Sequence, residues 1–159
     1  LVNHFVAFDS FQGMPEPVGI DKAKIWQKGD CYQDIDVFKR LVKRDLWRTD
    51  IVPGFFEDSL KEYKVNNKRI PSIVYIDCDY YSSTKIVLEF LSDKLTHGTI
   101  VAFDDWDLYY GDPERGMRKA FAEFKNENPH LSFEPWHRIA SGGTSFICHE
   151  KNKLGTEVE

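Results

Sequence analysis

The sequence is poor in several things that would each point to a function. Basic residues are not in excess: 21 Lys and Arg stand against 26 Asp and Glu, for a net charge of −5. They form no block, so a surface that tracks nucleic-acid phosphates is not expected. No apolar run approaches the roughly 18 residues that cross a bilayer, and no charged segment followed by an apolar stretch marks a signal peptide. The three cysteines, Cys31, Cys78 and Cys148, are far apart and none has zinc-type spacing. Reduced thiols in a cytoplasmic protein are the expectation. Repeats and low-complexity linkers are missing as well. So is a glycine-rich loop between a strand and a helix: Gly111, Gly116, Gly142 and Gly143 stand in the wrong places for one.

What is present is a hydrophobic content of 42% with 14% aromatics, over a length that suits one compact domain. Its expected extent is 1–150, with residues 151–159 as a mobile tail. Strand-like and helix-like stretches alternate. A short apolar run ends in Asp9, and a Gly/Pro-rich loop follows. Ile35, Phe38, Leu41, Val42 and Leu46 recur at helical spacing over 34–46, with Asp34 as the cap. A strand over 50–54 precedes a helix over 57–64. The unbroken run Ile73, Val74, Tyr75, Ile76 predicts a strand buried on both faces, ending at Asp77. The spacing predicts a helix over 83–95, capped by Ser82 or Ser83, with Ile86, Val87, Phe90, Leu91 and Leu95 inward. The strand over 99–103 runs into Asp104 and Asp105. Asp112-Pro113 reads as a cap and first-turn proline for a helix that turns Met117, Ala120, Phe121 and Phe124 inward. Strands over 131–138 and 144–149, joined by Gly142-Gly143, read as a closing hairpin. The expected fold is α/β: a Rossmann-like three-layer α/β/α arrangement, mostly parallel, with a C-terminal antiparallel hairpin.

Every strand that reads as buried ends in an acid: Asp9, then Asp77 and Asp79, then Asp104 and Asp105. In a parallel sheet those ends share one edge, where ligands bind. Carboxylates gathered there repel one another, and a cation removes that penalty. Oxygen-only ligands favour Mg2+, then Mn2+ or Ca2+. A single Asp at a strand end is as often a turn or cap residue. Capping needs one acid per turn, not a cluster.

Four blocks, in order, carry a resemblance. They are Phe8-Asp9-Ser10-Phe11-Gln12-Gly13-Met14-Pro15, Gly54-Phe55-Phe56-Glu57-Asp58-Ser59-Leu60, Asp77-Cys78-Asp79-Tyr80-Tyr81-Ser82-Ser83-Thr84 and Phe103-Asp104-Asp105-Trp106. Together they resemble the macrocin O-methyltransferase family, class I enzymes dependent on S-adenosylmethionine, and cover most of residues 5–125. The resemblance implies that Asp9, with Ser10 beside it, meets the cofactor ribose and that Phe55 and Asp58 lie near its adenine. It implies Asp77, Asp104 and Asp105 as ligands of Mg2+ or another hard divalent ion, and Asp79 as the general base. The same three-carboxylate pattern is similar to catechol O-methyltransferases. The lysine base those enzymes place three residues after the first ligand is replaced here by Tyr80.

The implied reaction is methyl transfer to a sugar or other small hydroxylated acceptor. The family's first, central strand and its glycine-rich loop have no counterpart in this sequence. The chain therefore reads as lacking that strand, as a fragment that binds cofactor weakly at best, with homo-oligomerisation an open possibility. Direct pairing of the neighbouring strands, or a second chain filling the gap, are the alternatives. A non-catalytic remnant that keeps the acidic edge is the competing function. A metal-dependent phosphotransfer site is the third, and it lacks a nucleophile and a phosphate loop.

Overall fold

The computed structural model describes residues 4–66 and 69–153. The expected tail beyond 153 lies outside them. They group into two compact units that divide near residue 67.

The first unit holds strands β1 (Phe5–Asp9) and β2 (Thr49–Pro53) and helices α1 (Ile35–Leu41) and α2 (Phe56–Asn66). The strands pair in parallel, Asp9 opposite Pro53, and Gly54 N–H continues the ladder to Asp9 C=O at 2.9 Å. Asp34 caps α1 as expected, its carboxylate accepting from the Asp36 and Val37 amides. The helix stops at Leu41 instead of running to 46. Asp45 accepts from the Arg48 guanidinium and its own amide bonds Val42 C=O, so the chain turns there. No residue of α1 is buried, and Leu41 is 75% exposed.

The second unit holds β3 (Ile73–Ile76), α3 (Tyr81–Leu91), β4 (Ile100–Phe103), α4 (Gly116–Glu127), β5 (Leu131–Ile139) and β6 (Gly143–Glu150). Its sheet has the order β3-β4-β6-β5, with β3 and β4 parallel and β6 antiparallel to both of its neighbours. The alternation, the parallel pairs and the closing hairpin agree with the Rossmann-like expectation. The strands form two sheets, β1-β2 and the four-stranded one. Direct pairing of the strand ending at Asp9 with the strand ending at Asp77 is thus not seen among the described residues.

The core is built on β4, where Val101, Ala102 and Phe103 are buried, on α4, where Met117, Ala120, Phe121 and Phe124 face inward as expected, and on β6, where Phe146 and Cys148 are buried. Phe103, Phe121 and Phe146 form an aromatic centre with ring centroids 4.9–6.1 Å apart. On α3 the buried apolar side chains are Leu88 and Leu91, and Ile86 is outside the core. The start of α3 also differs from expectation. Tyr80 precedes the first turn, Ser82 and Ser83 lie within the helix, and Thr84 Oγ1 donates back to Tyr80 C=O at 2.7 Å. Asp112-Pro113 does not open α4. Asp112 accepts from the Glu114 amide in a local turn, Arg115 is extended, and left-handed Gly116 (φ 51°) marks the helix start. β3 is not buried on both faces: Ile73 and Tyr75 are exposed. No helix among the described residues is long and apolar enough to cross a membrane.

Candidate metal and cofactor site

Ile76 and Phe103 are register partners at the ends of β3 and β4, so the next residue of each strand leaves the sheet beside the other. Those residues are Asp77 and Asp104, and Asp104 N–H bonds Ile76 C=O at 3.0 Å. Asp105 follows. One carboxylate oxygen from each of Asp77, Asp104 and Asp105 lies within 4.8 Å of the others. Parallel pairing thus brings together acids that are 27 and 28 positions apart in the sequence.

The electrostatics follow from that crowding. Burial, then the charges of Asp79, Asp77 and Asp104, push the Asp105 carboxyl up to about 7, against a hydrogen bond from the Asp79 backbone. Asp105 Oδ2 is buried with no hydrogen-bond partner among the described residues. A buried, unpaired carboxylate oxygen beside two further carboxylates is costly, and a hard cation satisfies all three. The donor set therefore fits a divalent metal.

Asp79 lies three residues beyond the end of β3, in the left-handed region at φ 55°. Tyr80 N–H bonds Cys78 C=O at 2.5 Å and closes that turn. Such backbone costs free energy and persists only where packing enforces it. Here Tyr80, 1% exposed, anchors the turn.

The loop after Asp105 is fastened down. Trp106 packs against Phe103, Phe121 and Phe146. Asp107 is gripped by Arg118 at 2.7 Å and by Arg138, and these guanidinium groups hold its carboxyl below the ordinary range. Arg118 also donates to Trp106 C=O at 2.9 Å. Tyr109 and Tyr110 are both left-handed, at φ 58° and 59°. Tyr109 is buried and Tyr110 fully exposed. Of the three aromatic residues in this loop, two therefore serve the core and one faces solvent.

In the first unit, Asp9, Ser10, Phe55 and Asp58 share the carboxyl ends of β1 and β2. Asp9 Oδ1 accepts from the Phe11 amide at 2.5 Å, and Ser10 Oγ donates to Gly13 C=O at 2.9 Å. Phe55 C=O receives the amides of Asp58 and Ser59 as α2 begins. Asp58 is exposed.

His137 is exposed and its ring lies 4.6 Å from that of Trp136. Burial first, then nearby acids, push the Cys78 thiol up to about 12, which disfavours the nucleophilic thiolate. Sequence reasoning missed Tyr75, whose hydroxyl donates to Asp104 Oδ1. The signal was its parity: it stands two residues before Asp77, on the same face of the strand. Arg118 and Arg138 were missed as well, because their shared partner Asp107 becomes visible only in three dimensions.

A sequence model of the family described as Macrocin-O-methyltransferase (TylF) matches residues 3–146. No curated protein sequence matches the chain significantly. Among solved structures, CalS11, a calicheamicin methyltransferase, superposes with a TM-score of 0.69 at 23% identity, over 91% of this chain and 60% of that one. The same protein without ligand, described as a TDP-rhamnose 3'-O-methyltransferase, gives 0.59 at 21%, over 91% of this chain and 57% of that one. The O-methyltransferase NovP gives 0.67 at 18%, over 91% and 59%. An O-methyltransferase from Bacillus cereus in complex with SAH gives 0.53 at 16%, over 91% and 74%. The chain thus spans about 60% of the length of CalS11 and NovP. These likenesses carry the fold.

Proposed function

Because this chain belongs to the macrocin O-methyltransferase family, we propose that it is the core of an S-adenosylmethionine-dependent O-methyltransferase acting on a sugar or other small hydroxylated acceptor, with a divalent cation, Mg2+ first, at Asp77, Asp104 and Asp105. The observation that carries the metal part is the meeting of three carboxylates within 4.8 Å, one with a buried oxygen that lacks a hydrogen-bond partner among the described residues. A sugar acceptor is supported by CalS11, described as a TDP-rhamnose 3'-O-methyltransferase.

Asp77, Asp104 and Asp105 would hold the cation, which supplies Lewis-acid polarisation of the acceptor oxygen and fixes its position. Asp79, displayed on its left-handed turn beside them, would take the proton of the acceptor hydroxyl as the oxygen–methyl bond forms. Asp9 offers its remaining carboxylate capacity to the ribose hydroxyls, as an acid after the second strand of a nucleotide-binding sheet does. Phe55 and Asp58 would border the adenine. S-adenosylmethionine would supply the methyl group, its sulfur–methyl bond breaking with the electron pair left on sulfur, so that S-adenosylhomocysteine departs. The arrangement of carboxylates lowers the barrier chiefly through positioning.

The test is calorimetric titration with S-adenosylmethionine, with and without Mg2+, followed by transfer of a radiolabelled methyl group to nucleotide-activated deoxysugars. It is run on this chain and on any longer product that carries it. The expected result is transfer that EDTA abolishes and Mg2+ restores, with Asp79→Asn reducing the rate by about 10²–10⁴. Cofactor binding with a rate indifferent to EDTA overturns the metal role. No cofactor binding in any form favours the remnant.

A further inference from the structure

Tyr75 stands opposite Ala102 in the parallel pair of β3 and β4. Asp104, just past the end of β4, lies two residues beyond Ala102 and is the diagonal neighbour of Tyr75 on the same face. Diagonal neighbours in a sheet are roughly 7–8 Å apart, a gap that an aromatic side chain crosses. Tyr75 does cross it, and its hydroxyl donates to Asp104 Oδ1. The ring is 57% exposed and outside the hydrophobic core. Packing therefore does not explain its orientation, and the bond to Asp104 does.

We propose that Tyr75 is a positioning residue of the metal site: its phenol holds one oxygen of Asp104 and so sets the orientation in which this carboxylate meets a divalent cation together with Asp77 and Asp105. Groups that hydrogen-bond a ligating side chain reduce the freedom it must lose on binding, and their removal weakens metal affinity by about 10–100-fold. Asp105 has a buried oxygen with no such partner among the described residues, and Asp104 has Tyr75. The inference rests on the metal reading above.

The experiment is a Mn2+ titration of the full chain, followed by electron paramagnetic resonance of the free ion, together with thermal melts in EDTA. Wild type, Tyr75→Phe and Asp77→Asn are compared. The expected result is binding by wild type, none detectable for Asp77→Asn, and an affinity about tenfold weaker for Tyr75→Phe. The melting temperature of Tyr75→Phe in EDTA stays within a degree or so of wild type, since only an exposed hydroxyl is removed. Full Mn2+ affinity in Tyr75→Phe overturns the role of Tyr75 and leaves the metal site standing. A matching loss of melting temperature assigns the effect to folding and also overturns it. No Mn2+ binding by wild type overturns the metal reading itself.

Discussion

At the scale of single residues, Asp105 is the point of greatest conflict. It is half-buried, its Oδ2 has no hydrogen-bond partner among the described residues, and its neighbours carry the same charge. Removing its charge should therefore have opposite effects with and without metal. Asp105→Asn should melt about 2–4 °C higher than wild type in EDTA, equivalent to about 1 kcal/mol of relieved repulsion. In Mg2+ it should lose the metal-induced rise that wild type shows. Differential scanning fluorimetry in the two buffers measures both. The cysteines give a second prediction. Cys31 is exposed, whereas Cys78 is held at about 12 and Cys148 at about 11 by burial above all. Native protein treated with N-ethylmaleimide near neutral pH should gain one adduct by mass spectrometry, and three after denaturation. The acids themselves were legible in the sequence, because a buried apolar run followed by Asp is a pattern that needs no coordinates. Tyr75 was not, because its role depends on the register of β3 against β4, and register is a property of the pair.

Among the elements, α3 and α4 are joined through Glu123. Its carboxylate accepts from Tyr81 at 2.7 Å and Lys85 at 2.8 Å, with Lys119 at 3.5 Å. Lys85 first, then Tyr81, hold Glu123 below the ordinary carboxylate range. A carboxyl lowered in the folded state adds stability above its unfolded pKa, about 4.3, and loses it as pH falls through the folded value. Wild type should thus lose stability below about pH 4 more steeply than Glu123→Gln. Urea midpoints at pH 6 and pH 3 should show the two converging in acid. Gly143 tests the sheet in the same way. A Cβ there would lie 2.7 Å from Phe103 C=O and 2.9 Å from Asp104 C=O, against backbone that cannot yield cheaply. Gly143→Ala should cost about 1–3 kcal/mol, read from the urea midpoint. Helix α4 was legible because its inward residues keep strict spacing. The extents of α1 and α3 were not, since Asp45 with Arg48 and Thr84 with Tyr80 reshape them through local hydrogen bonds that periodicity does not encode.

Over the whole molecule, the α/β class and the closing hairpin could be read from the alternation of runs. The division into two sheets depended on which strands find partners. The family match runs over residues 3–146, and the chain spans about 60% of the length of CalS11. Asp107 remains, clasped by arginines from α4 and β5, with its amide on Gly142 C=O. This knot ties the segment that bears Asp104 and Asp105 to the tip of the terminal hairpin. Insertions at that tip would bear directly on the carboxylates, whereas Tyr110, fully exposed in the same loop, stands open to exchange.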